Sequence, residues 1–67
     1  MIDERLILSF INSNVKLTRR EFAKMGFEQV CELKNEYLFE IWISKDQAVW
    51  VWSKKKKVEH VFTHERY

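Results

Sequence analysis

Proline is absent from this 67-residue chain, and glycine and cysteine each occur once. A single Cys31 excludes an internal disulfide, and two histidines with one cysteine make a poor zinc set. With Gly26 as its only glycine, the chain has no glycine-rich loop to cradle a phosphate. No apolar run approaches the ~20 residues of a membrane helix without several charges. The start, Met1-Ile2-Asp3-Glu4-Arg5, carries acids where a secretory signal carries bases, and the apolar run Leu6 to Ile11 is broken by Ser9. A soluble, cytoplasmic protein with no membrane association is expected, and the lone thiol fits a reducing compartment.

The length leaves room for one small α+β domain, 1–67. A chain of this size buries only about 60% of the surface exposed on unfolding, so its core needs a supplement. With disulfide and metal set aside, self-association is the favoured one. The net charge is +2, with five bases and five acids in residues 1–33 and seven bases and five acids in 34–67. Much of that excess is the run Lys54-Lys55-Lys56-Lys57. The total is too small to mark a dedicated nucleic-acid binder.

Apolar residues at Ile2, Leu6, Ile7, Phe10 and Ile11 follow helical spacing, with Leu8 widening the stripe, and predict a helix over 3–12. Asn12-Ser13-Asn14 then breaks it. Thr18-Arg19-Arg20-Glu21 reads as a capping box opening a second helix over 19–25, which buries Phe22, with Met25 as a second candidate, and ends at Gly26 as its left-handed C′ residue. Beyond Gly26 the period changes to 2. Phe27–Leu33, Tyr37–Ile43 and Ala48–Trp52 are rich in β-branched and aromatic residues, separated by Lys34-Asn35-Glu36 and Ser44-Lys45-Asp46-Gln47. Val58–Thr63 fits a helical spacing as well as a strand. Strand is preferred, since four lysines in a first helical turn would oppose the helix dipole but sit comfortably in a hairpin loop.

The expected fold is therefore two N-terminal helices packed on a three- to four-stranded antiparallel meander. If Ile43 pairs with Ala48, Ile41 faces Trp50 and Phe39 faces Trp52, with Val30 and Val61 on that side. Phe27, Cys31, Leu33, Leu38, Trp42, Val49, Val51, Val58 and Phe62 would share the other. Both faces are apolar, and two short helices cover one, leaving the other for another molecule.

Candidate chemistry is thin, and no motif carries a family signature. His60 and His64 have chelating spacing on a helix, but on a strand they stand roughly 13 Å apart. In the expected register Cys31, Glu40, Val51 and His60 form one row, which separates thiol from imidazole by roughly 14 Å, too far for a catalytic dyad. Cys31 then reads as a small buried hydrophobe, and Glu40 as a paired or edge carboxylate. No catalytic residue, metal ligand or cofactor is expected, and the chain reads as a non-enzyme.

The aromatics Tyr37, Phe39, Trp42, Trp50 and Trp52 beside the lysine loop are the one constellation with a mechanism. They divide between two faces in the expected register, which favours core and interface roles over base stacking. The favoured function is an interaction module of inhibitor or adaptor type, of the size found on mobile elements. It forms a homodimer and binds a partner protein through Trp42, Trp50, Trp52, Val49 and Val51. The alternative is an anionic-ligand binder for single-stranded nucleic acid or a nucleotide, using sheet aromatics with Lys54, Lys55, Lys56, Lys57, Arg19 and Arg20. Arg19-Arg20, placed in the first turn of the second helix, would oppose its dipole and hints at an external acidic partner.

Overall fold

The computed structural model describes residues 4–66. Two helices, α1 (Glu4–Phe10) and α2 (Val15–Lys24), precede four strands, β1 (Glu28–Lys34), β2 (Leu38–Ile43), β3 (Gln47–Lys54) and β4 (Lys57–Glu65). The strands form one antiparallel sheet in the order β1-β2-β3-β4, the expected meander. Met1, Ile2 and Asp3, where the first helix was expected to begin, lie outside the described residues. Among the described residues no helix is long and apolar enough to cross a membrane.

The second helix begins four residues before the position expected. Its cap is Asn14, whose side chain accepts from the Lys16 amide at 2.9 Å. Thr18 is instead an interior residue, 3% exposed, with its hydroxyl directed back to the Asn14 carbonyl. Asparagine is as good a cap as threonine, and starting at Val15 adds an apolar residue to the stripe of Thr18 and Phe22 that faces the sheet. The other end is as expected, except that Met25, the C-cap, is exposed and not buried beside Phe22. Gly26 stands at φ 86°, its amide reaching Ala23 O and the Phe27 amide reaching Phe22 O, the paired bonds of a Schellman motif. That turn swings Phe27 onto Phe22, with ring centroids 5.6 Å apart.

The central hairpin has the expected register, with Ile43 opposite Ala48, Ile41 opposite Trp50 and Phe39 opposite Trp52. The outer strands depart from it, because each contains a bulge. Val30 is the extra residue in β1 and Glu59 the extra residue in β4, and each one-residue insertion reverses the facing of everything beyond it. Four expectations are corrected as a result. Val61 lies opposite Val51 in the core, and Val30 is an exposed bulge residue. Cys31, Leu33 and Phe62 lie on the face of Ile41, Phe39 and Trp50. The row through Glu40 and Val51 runs from Glu32 to Val61, while Cys31 shares its row with Phe62, and His60 falls opposite Trp52. Cys31 is accordingly half-buried on the open side of the sheet and not among the core hydrophobes.

The core sits between the helices and one sheet face. Phe10, Val15 and Phe22 from the helical half meet Trp42, Val49, Val51, Val58 and Val61 from the sheet, with Phe27 between the two. Phe22 is fully buried and is the hub, 5.0 Å from Phe10 and 5.4 Å from Trp42 between ring centroids. The connection between the helices also pairs with the start of β4. Asn12 N donates to Val58 O, Val58 N to Ser13 O, and Val15 N to Lys56 O. This covers part of an edge strand that would otherwise present unpaired amides.

Candidate functional site

On the sheet face away from the helices, Phe39, Trp50, Trp52 and Phe62 form a continuous aromatic cluster. Phe39 packs on Trp52 at 4.5 Å between centroids, Trp50 lies 6.2 Å from Trp52, and Phe62 meets Trp52 edge-on at 5.4 Å. His64 packs on Trp50 at 4.6 Å, and His60 stacks alongside Phe62. Tyr37, Trp52, His60 and Phe62 line a shallow hollow at one end. Alternation within each strand produces this layer, since Phe39 and Ile41 on β2, Trp50 and Trp52 on β3, and Phe62 and His64 on β4 all point one way. Trp50 is 38% exposed and Phe62 52%, large values for rings of this size.

The residues expected to bind a partner therefore separate. Trp50 and Trp52 belong to the open layer, whereas Trp42, Val49 and Val51 are buried under the helices at 8%, 0% and 1% exposure. The five aromatics divide as the expected register has it, with Phe39, Trp50 and Trp52 on one side together with Tyr37, and Trp42 on the other. Phe62, His60 and His64 were missed as members of this layer. A bulge at Glu59 exchanges the two faces of β4, and no glycine or other compositional mark announces it.

The cationic candidates separate too. Lys54 and Lys57 pair across the β3–β4 ladder, and Lys55 and Lys56 form the two-residue turn at φ 53° and 67°. Lys54 lies over the Tyr37 ring at 5.0 Å and 3.7 Å from Glu36. Arg20 is exposed on α2. Arg19 faces the other way and is held within the fold. Its Nε donates to Glu40 at 2.9 Å and its second terminal nitrogen to Glu32 at 2.6 Å. The acidic partner that Arg19 suggested is thus found inside the chain, and the arginine lies in the second turn of α2, not the first.

Glu40 is 1% exposed in the middle of β2. A carboxylate there is tolerable only when paired, and Arg19 and Gln29 Nε2 both donate to its Oε2. Two buried polar atoms have no such partner among the described residues, Trp42 Nε1 and Ser53 Oγ. No protein-family model matches this sequence, and neither a curated protein nor a solved structure matches it, so the functional reading rests on the chemistry of these surfaces.

Proposed function

We propose that this protein is a non-enzymatic interaction module that self-associates through its open aromatic face. The single observation behind this reading is the uncovered layer of Phe39, Trp50, Trp52 and Phe62 opposite the helices. The middle of that layer carries no charged chain, as Ile41, Trp50 and Phe62 form its central row. Such a surface suits a copy of itself, since two sheets stacked face to face interdigitate their side chains about 10 Å apart. The overall extents of 32 × 23 × 18 Å cap the face at roughly 700 Å², so a dimer through it lies below the ~800 Å² each partner contributes to a stable interface of standard size. A partner protein, as an inhibitor or adaptor requires, would use the same rings.

Sedimentation equilibrium at about 100 micromolar tests the proposal. The expected result is a dimer that Trp50→Lys converts to a folded monomer. A monomeric wild-type mass would overturn it.

The gathering of Tyr37, Phe39, Trp50, Trp52 and Phe62 on one side favours a second reading, in which single-stranded nucleic acid stacks there. The phosphates would then need cations along the face, and the lysines lie at one end of it. Salt separates the readings: phosphate binding weakens steeply as salt rises, and burial of an apolar face barely responds.

A further inference from the structure

At the opposite side of the hairpin end, a separate cavity of about 490 Å³ opens between the start of α2, the β1–β2 turn and the β3–β4 turn. Its walls carry Lys16, Arg19, Lys34, Lys54, Lys55 and Lys56, against Glu36 as the one acid. These six cations outnumber the charge of the whole chain, which is +2. Arg19 and Lys54 are already paired, with Glu32 and Glu40 and with Glu36 respectively. Lys16, Lys34, Lys55 and Lys56 have no ion pair among the described residues, so four of the six cations, from three separate chain segments, line the cavity unpaired.

Between the cations the cavity is closed by buried and apolar residues. Ser53 forms part of the same wall, is 1% exposed, and has a hydroxyl with no hydrogen-bond partner among the described residues. Its Oγ is itself buried, with no surface open to the cavity, so Ser53 backs the wall and does not act as a ligand donor. Val15 and Leu38 supply apolar wall between the cations. The first amides of α2 do not add donors, because Val15 N is bound to Lys56 O and Lys16 N to Asn14 Oδ1. Recognition falls to the side chains.

We propose that this cavity binds a small phosphorylated molecule of nucleotide size bearing more than one phosphate. Four unpaired lysines on the wall supply charge for two or more phosphates, and the volume lies within the 300–1,000 Å³ typical of small-ligand sites. Walls on three sides suit a compact ligand over a polymer, whose backbone needs an open groove to enter and leave. The site is distinct from the open aromatic face and does not depend on it.

Calorimetric titration of the full chain with pyrophosphate and with adenosine 5′-triphosphate, at low salt and without divalent metal, tests the assignment. Both probes should bind at one shared site and compete. Lys34→Ser combined with Lys55→Ser should weaken each at least tenfold. Lys57→Ser combined with Arg20→Ser removes the same charge from positions outside the cavity wall and should change affinity less than threefold. Ser53→Ala, a change beneath the wall, should alter affinity less than threefold. Absence of binding or equal losses in the two charge pairs would each overturn the proposal. A single-stranded oligonucleotide that binds more tightly than the triphosphate, with a salt slope above that of four phosphate contacts, would overturn the small-molecule assignment.

Discussion

Arg19 Nε donates to Glu40 Oε2 at 2.9 Å, which ties the second turn of α2 to the centre of β2. Glu40 is buried and Arg19 is 38% exposed at its side chain, so the two ends of this bond have unequal stakes. Removing the arginine strands a buried carboxylate with Gln29 as its remaining donor. Arg19→Ala should cost about 2 kcal/mol, below the ~3–5 kcal/mol of a fully buried pair because the arginine is partly solvated. Arg19→Met with Glu40→Leu, which removes both charges, should recover most of that loss in urea unfolding. A double variant as unstable as the sum of the single ones would show that the pair is not coupled.

Trp42 and Trp50 should behave oppositely. Trp42 packs on Phe22 in the core, and its indole N–H has no partner among the described residues. Trp42→Phe keeps a ring and discards the unsatisfied donor, so it should change stability by less than about 1 kcal/mol, whereas Trp42→Ala should lose about 3–5 kcal/mol. Trp50→Ala should leave the monomer's stability within about 1 kcal/mol and act on association. Denaturant titration below the dimer concentration range, paired with sedimentation, reads both quantities.

Lys55 and Lys56 both occupy left-handed backbone, which a two-residue hairpin turn of this type demands and which asparagine and glycine adopt with less strain. Lys55→Asn with Lys56→Gly should raise stability by about 1 kcal/mol. The same variant should bind pyrophosphate more weakly, since it removes two of the unpaired cations. A thermal melt and a titration on one sample check both, and a lowered melting temperature would contradict the turn geometry.

Capping gives a paired comparison. Asn14→Ala should cost about 1 kcal/mol through loss of the bond to Lys16 N. Thr18→Val, which retains the buried volume and loses only a 3.2 Å bond to a carbonyl, should cost less. The reverse order in chemical denaturation would restore the start of the helix to Thr18.

These residues also mark where the sequence was legible. Alternation about the Ser44–Gln47 turn set the β2–β3 register correctly, because apolar residues on both sides of a short turn leave little freedom to slip. Gly26 could be placed because a left-handed cap nearly requires glycine. The start of α2 could not, since Asn14 and Thr18 are both good caps, and the choice is made by Val15 and its burial against the sheet. Val30 and Glu59 were opaque for a related reason: a bulge is a property of two strands fitted together, and neither residue type announces one. The common side of Phe39, Trp50 and Trp52 was visible from the central register, but the place of Phe62 beside them was not, since it depends on the bulge in β4. The cavity was hidden further still, as Lys16, Lys34 and Ser53 meet only after the turns and α2 are in place.

The bonds between Asn12-Ser13 and Val58 close a loop of about 45 residues, while every strand pair joins neighbours in the sequence. Contacts of such different span form in a preferred order, with hairpins first and the long closure last. The expectation is that α1 and α2, although synthesised first, have no complete surface to rest on until Val58 has left the ribosome. During that interval the valines of β3 are as bare as its tryptophans, so the growing chain has two sticky faces where the finished one has one. Pulse proteolysis of ribosome-bound chains should show the helical segment cleaved readily until synthesis passes Val58. Protection of α2 in shorter chains would reverse this order of assembly.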